Sequence, residues 1–523
     1  MFLRALFFAA LTLSWSQTEA SLGSTYTAAV YEHHPVLNPQ PWLASSRLAA
    51  LQHVKKNLDL YEEQAALAAQ QGAQILVFPE DGLQGFNFSR SSISSYLESI
   101  PDPQQETWNP CTEPGRHDGT EVLQRLSCMA RRNGIYLVAN MADVQPCPLP
   151  SDPSAPCPPD GHWQFNTNVV FRYTVKTSVT PMMLVPCLSF SRSSEGVLVA
   201  RYHKNNLYFE AAFDAPPRPE VVTFETPFAG KFGLITCFDI LFDQPTLTLL
   251  EQGVRQLIFP AAWMNQLPLL DLIQFQRAFS LGSNITLLSP NIRSDALLMT
   301  GSGIYWPSGA VYHHARLGDP EEGKLLVASV PVLEPLGQNT SEIYSSPAPG
   351  YCRRDGCPAS PPSFTSTMMH DPFKFVLLSD LQGELGVCDG AFCCHLQYTL
   401  SPQEGGRELY ALGVFAGTHT VNGRYAVQVC AVVRCAGSDP SSCGQEVDRA
   451  DTRVDFVLAG HFGTKHVFPS VLASRMVLEQ PENLERTAEG GVTMRHGNMS
   501  AGLVTACLYG RLYHLDRDGQ DDG

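Results

Sequence analysis

Short apolar runs alternating with stretches of helical periodicity constrain this chain more than any other feature. Gln74 to Phe78 ends in four consecutive apolar residues, a pattern of strands buried on both faces rather than one. Before it, Leu48, Leu51, Val54, Leu58, Tyr61, Ala65 and Ala68 recur at helical spacing, with Ser45 or Ser46 as a possible N-cap and Gly72 as the stop. The pattern repeats with a helix around Val122 to Arg132, Gly134 as its stop and a strand from Ile135 to Asn140. A first strand is expected at Thr25 to Tyr31. Others are expected at Asn166 to Phe171, Gly196 to Tyr202, Lys231 to Thr236, Gln256 to Pro260 and Ile285 to Ser289, with a helix over Leu269 to Leu281. Mixed strands and helices over this length indicate an α/β domain whose sheet is covered.

Composition then bounds the rest. A net charge of −16 weighs against a nucleic-acid partner, because a phosphate backbone selects basic surfaces. Residues 1–20 read as a secretory signal: Arg4 supplies the charge, Ala5 to Trp15 the apolar stretch, and Thr18 to Ala20 a small-residue cleavage site. The end of the chain is polar and acidic, without the hydrophobic tail a GPI signal requires. A soluble, secreted, extracellular protein without a membrane anchor is the expectation. Fifteen cysteines fit an oxidising compartment, and an odd number leaves at least one thiol without an intramolecular partner. Between about 334 and 364 the composition turns to Pro, Ser and Gly, read as a linker between the α/β domain at 21–333 and a β-rich domain at 365–523. Eight cysteines between Cys352 and Cys443 suggest that the second domain is stapled by disulfides. Glycan acceptors are expected at Asn339, Asn87 and Asn498; Asn284 is discounted because its surroundings look like a buried strand. The pairs His33-His34 and His313-His314 lack zinc-site spacing and read as ordinary surface or packing histidines.

Three strand ends carry the chemistry. Cys237 follows the apolar run Phe232 to Thr236, where a thiol on a turn is placed for nucleophilic work; a buried structural thiol is the competing reading. Glu80 follows Phe78-Pro79, as a turn cap or a general base. Lys204 closes the strand ending at Tyr202-His203, as a solvated strand end or an electrostatic donor. Ligands of open α/β sheets bind outside the carboxyl ends of strands, so the three are able to meet in one crevice. Together they suit an amide: Glu80 takes the thiol proton, Cys237 attacks the carbonyl to form a thioester, and Lys204 holds the oxyanion. This chemistry requires neither metal nor cofactor.

Phe78-Pro79-Glu80, Tyr202-His203-Lys204 and Thr236-Cys237-Phe238-Asp239 resemble the Glu-Lys-Cys triad of the nitrilase (carbon–nitrogen hydrolase) superfamily. The segments 28–33, 78–82, 164–171, 300–305 and 410–415 are similar to its biotinidase and vanin branch, so the resemblance spans nearly the whole chain. It implies a four-layer α-β-β-α nitrilase sandwich followed by the smaller β-rich domain. It also implies that the Phe238 amide joins Lys204 in the oxyanion hole. Glu210 is a candidate second carboxylate beside Lys204, with a surface glutamate as the preferred reading. Segments 204–214 and 262–270 are more similar to the biotinidase side of the branch, implying biocytin and biotinyl peptides as substrates and free biotin as product. Pantetheine hydrolysis to pantothenate and cysteamine is the alternative within the same chemistry; a biotin-binding carrier with little turnover is the alternative of another class. Two features depart from the family. Residues 173–192 intervene where a tight hairpin is expected, as a gene-model error or a surface loop, the former preferred. With Cys237 set aside as the nucleophile, and Cys187 and Cys507 outside the family's cysteine framework, twelve of the fifteen cysteines remain for as many as six disulfides.

Overall fold

The apolar runs become the inner strands of two sheets. The computed structural model describes residues 24–147, 156–173, 195–333, 362–403 and 408–519. The signal segment, Asn339, Cys187, Cys352, Cys357 and all of the 173–192 segment but Tyr173 lie outside the described residues. In the first sheet, β1 (Thr25–Glu32), β2 (Ile75–Val77) and β3 (Tyr136–Pro146) run parallel, and β4 (His162–Arg172) and β5 (Val197–His203) continue it antiparallel. The second sheet contains β6 (Thr223–Thr226), β7 (Gly230–Leu234), β8 (Gln256–Ile258), β9 (Thr286–Ser289), β10 (Ser302–Trp306) and β11 (Gly309–His313). Strand β12 (Lys324–Pro331) then returns to pair with β1 in the first sheet.

Ile75, Leu76 and Val77 have no exposed surface, because both faces of β2 are covered. On one face, Tyr26, Ile75, Val77 and Val138 meet Phe232, Leu234, Ile258 and Leu288 of the second sheet. On the other lie helices α1 (Arg47–Gln70) and α2 (Glu121–Asn133), which bury Val54, Leu58, Tyr61, Leu123 and Leu126. Ser46 caps α1 by accepting from the Ala49 amide, and Gly134 ends α2 in the left-handed conformation, as expected. Helices α3 (Thr246–Glu251) and α4 (Leu272–Ser283) cover the outer face of the second sheet. The result is the four-layer α-β-β-α sandwich. Asn284 corrects an expectation: it is exposed, at φ 54° as the C-cap of α4, and β9 begins only at Thr286. The apolar residues around it belong partly to the last helical turn, which a short window does not separate from a strand.

The C-terminal part is all-β, with strands β13 (Phe364–Met368), β14 (Asp371–Leu377), β15 (Gln382–Asp389), β16 (Phe392–Ser401), β17 (Tyr410–His419) and β18 (Tyr425–Arg434). These are followed by β19 (Arg453–His461), β20 (Val467–Ala473), β21 (Val477–Glu479), β22 (Asn483–Arg486), β23 (Gly491–His496) and β24 (Leu503–Arg511). Seven of them, in the order β13-β14-β17-β18-β24-β20-β21, form a sheet facing the five-stranded sheet β15-β16-β19-β23-β22. Leu396, Tyr410, Val432, Phe456 and Leu508 fill the space between. The outer face of the seven-stranded sheet lies on α4, where Phe275 and Phe279 pack against Phe468 at ring distances of 5.9 and 4.9 Å. Disulfides join Cys388–Cys393, Cys394–Cys430 and Cys435–Cys443 here, and Cys111–Cys128 and Cys147–Cys157 in the sandwich. Among the described residues Cys237 and Cys507 are the free thiols, both buried.

Candidate active site

Glu80, Lys204 and Cys237 meet at the carboxyl ends of the two sheets, as side chains from three strand ends. After β2, the Phe78 amide still donates to Val138, and the chain then turns so that Glu80 is buried. Lys204 is the first residue beyond β5, with its amide donating to Asn166 of β4. Its ammonium lies 2.6 Å from Glu80 Oε1 and donates also to Glu210 Oε1. Glu80 is held on its second oxygen by the Ala262 amide at 3.0 Å, and on the first by Asn166 Nδ2 at 2.8 Å.

Cys237 begins a short 3-10 helix, Cys237–Leu241, at φ 44°. A non-glycine residue in this region is strained and persists only where its surroundings determine it. Those surroundings are specific. Thr236 and Asp239 form a reciprocal capping box, the Cys237 amide donates to Pro260 at 3.0 Å, and Asp239 accepts from Tyr202 Oη at 2.7 Å and from both nitrogens of Asn206. Phe238, the second residue of that helix, turns its ring toward Tyr208 and Phe242.

Glu80, Lys204, Glu210 and Cys237 line one cavity of about 350 Å³. Its lining includes the apolar side chains of Phe209, exposed at 78%, Met264 and Met299. A smaller cavity of about 50 Å³ adjoins Cys237 on the side where Asn422 and His419 of the C-terminal domain approach.

Burial pushes the Cys237 thiol well above its ordinary value; the Glu80 charge adds to this and Lys204 opposes it. That shift disfavours the thiolate, so nucleophilic use of this thiol calls for a base to take its proton. Burial works against the Lys204 ammonium, yet Glu210 and Glu80 more than reverse it, and the side chain is held charged. Burial raises Glu210 against the pull of Lys204, and raises Asp81, which also feels Glu80. A fixed cation, an adjacent carboxylate and a buried thiol on one wall are the parts needed for nucleophilic attack on a carbonyl with stabilisation of the resulting oxyanion.

The three strand-end residues are brought together as expected. Glu210 is a correction to the surface reading, because its carboxylate turns inward onto Lys204 and Asn166 and its side chain is only 12% exposed. Asn87 stands exposed on the cavity rim and Asn498 is exposed beyond β23. Of the histidine pairs, His33 is buried against Asn57 and His314 bonds Asp271 at 3.0 Å. Sequence reasoning missed Asn140, Asn166 and Asn168. A signal was present: Asn166 and Asn168 alternate on one face of a strand that runs on into Val169-Val170-Phe171, and burying them there is costly unless their amides are satisfied. It also missed the C-terminal domain's approach to Cys237.

Residues 43–283 match the carbon–nitrogen hydrolase family, and residues 363–516 match the vanin C-terminal domain. A biotinidase of Takifugu rubripes is 65% identical over 508 residues, covering 95% of this chain and 96% of that protein. A biotinidase of Homo sapiens is 45% identical over 94% of this chain and 90% of its own. A pantetheinase of Mus musculus is 41% identical over 95% of this chain and 91% of its own.

Proposed function

The chain belongs to the biotinidase and pantetheinase family of carbon–nitrogen hydrolases, and from that premise we propose that it releases free biotin from biocytin and biotinyl peptides. Glu80 takes the Cys237 proton as sulfur attacks the amide carbon. Lys204 and the Phe238 amide stabilise the tetrahedral oxyanion, and Glu210 keeps Lys204 charged and aimed. Protonated Glu80 then gives its proton to the lysine nitrogen as the C–N bond breaks, leaving a biotinyl thioester. Water, deprotonated by Glu80, attacks the thioester; biotin departs and sulfur regains its proton. The observation that carries this reading is that Glu80, Lys204 and Cys237 line one cavity, with Lys204 in contact with Glu80. Within Mus musculus the biotinidase is 46% and the pantetheinase 41% identical to this chain, which favours biotin amides over pantetheine.

Five disulfides among the described residues support an oxidising, extracellular location. No helix among the described residues is long and apolar enough to cross a membrane. We assign residues 1–20 to a removed signal, 21–333 to the catalytic domain, 334–364 to a linker and 365–523 to the β-rich domain, with glycans at Asn87, Asn339 and Asn498.

Comparing kcat/KM on biocytin and pantetheine tests the substrate. Biocytin is expected to be preferred by more than about tenfold, a difference of ~1.4 kcal/mol in transition-state binding, and preference for pantetheine overturns the assignment. A biotinyl thioester is expected on Cys237 and absent in Cys237→Ala. Tight biotin binding without an acyl-enzyme points instead to a carrier.

A further inference from the structure

Three buried asparagines form one hydrogen-bonded ladder beneath the site. We infer that Asn140, Asn166 and Asn168 are positioning residues that mechanically join the base, Glu80, to the nucleophile, Cys237, through a chain of amides with only one allowed orientation. Asn140 of β3 is the branch point. Its Oδ1 accepts from the Asp81 amide at 3.0 Å, next to Glu80 in the chain. Its Nδ2 donates to Asn166 Oδ1 at 2.6 Å and to Asn168 Oδ1 at 3.0 Å. Asn166 Nδ2 goes on to Glu80 Oε1 and Glu210 Oε2, each at 2.8 Å. Asn168 Nδ2 goes on to Thr236 Oγ1 at 2.8 Å and reaches Ile235 O at 3.4 Å. Thr236 directly precedes Cys237 and caps its helix.

The orientation follows from the ends. The Asp81 backbone N–H only donates, the Ile235 carbonyl only accepts, and Glu80 Oε1 already accepts from the Lys204 ammonium. Asn140 must therefore face Asp81 with its oxygen, and its two neighbours must present their NH2 groups outward. Reversing any one amide sets acceptor against acceptor at a junction where burial is complete or nearly so: Asn140 and Asn168 have no exposed surface and Asn166 has 1%. Thus the carboxylate on one side and the strained helix start on the other are held by the same three side chains.

The catalytic roles of Glu80 and Cys237 belong to the proposed function, so the test includes a readout that needs no substrate. Asn140→Leu breaks both arms, and Asn168→Ser breaks only the arm to Thr236. The rate at which iodoacetamide alkylates Cys237, read by peptide mass spectrometry, is expected to fall about tenfold or more in each variant. On biocytin, kcat is expected to fall about 100-fold in Asn140→Leu with KM within about threefold, as for a misplaced reacting group. The double variant is expected to be no worse than Asn140→Leu, because parts of one unit are not additive. Losses that multiply, or a folded Asn140→Leu protein with wild-type kcat and alkylation, overturn the inference. Should Asn140→Leu not fold, Asn168→Ser decides: wild-type alkylation at an unchanged Tm overturns it. Wild-type protein inert toward biocytin refutes the proposed substrate and leaves the alkylation test standing.

Discussion

Glu32 illustrates how one buried side chain imposes a pH dependence on the fold. It has no exposed surface and accepts from Thr300 Oγ1 at 3.0 Å and Ser302 Oγ at 2.9 Å. Burial raises its carboxyl from the usual 4.5 to about 7, the two hydroxyls opposing the rise. Between those values the native state holds a proton that the unfolded chain has released, so this group's contribution to stability is lost as pH rises through that window. The cost approaches the order of 3 kcal/mol. Glu32→Gln is expected to flatten the decline and to be more stable than wild type at pH 8, by urea midpoints measured from pH 5 to 8; an unchanged slope counts against the assignment. At this scale the sequence was informative about chemical type. Cys237, Glu80 and Lys204 were legible because each stands at the end of an apolar run. Glu210 was named as a candidate but could not be told from a surface glutamate, because only a loop that folds back onto Lys204 makes the difference.

Helix α4 is where two layers meet, and Gly282 measures how closely. A Cβ there would stand 2.7 Å from the Val467 carbonyl oxygen and 2.8 Å from Phe468 Cδ1. In an exposed helix Gly→Ala gains about 1 kcal/mol. Against a backbone oxygen of β20 the clash reverses the sign, and overpacking costs about 1–3 kcal/mol. Gly282→Ala is therefore expected to lower the denaturant midpoint, and a raised midpoint would mean that the domains adjust without strain. The elements themselves were largely legible. Periodicity located α1 and α2 closely, because an amphipathic face is a local pattern. Strand limits were less so: β3 runs on to Pro146 and β4 starts at His162, well outside their apolar centres, since pairing with each other extends both.

Across the whole molecule, the C-terminal domain braces the short helix that begins at Cys237, the proposed nucleophile. Buried Arg511 donates to the Leu241 carbonyl at 2.9 and 2.7 Å, at the helix end, and a Cβ on Gly423 (φ 138°) would stand 2.7 Å from Phe238 Cζ. Gly423→Val is expected to lower kcat about tenfold through a shift at Cys237, and to lower Tm as well, because φ 138° is strained for a β-branched residue. Normal kcat in that variant would show that the two domains touch without coupling. By itself the sequence determined the alternation of strands and helices, the two-part organisation and the three reactive side-chain types, because each is written in neighbouring residues. The tertiary structure alone decided that Lys204 lies on Glu80 across 124 positions, that three asparagines share one network, and that a second domain supports the site. Those follow from which faces pack together. Packing is settled by contacts between residues far apart in the chain, so no local pattern records it.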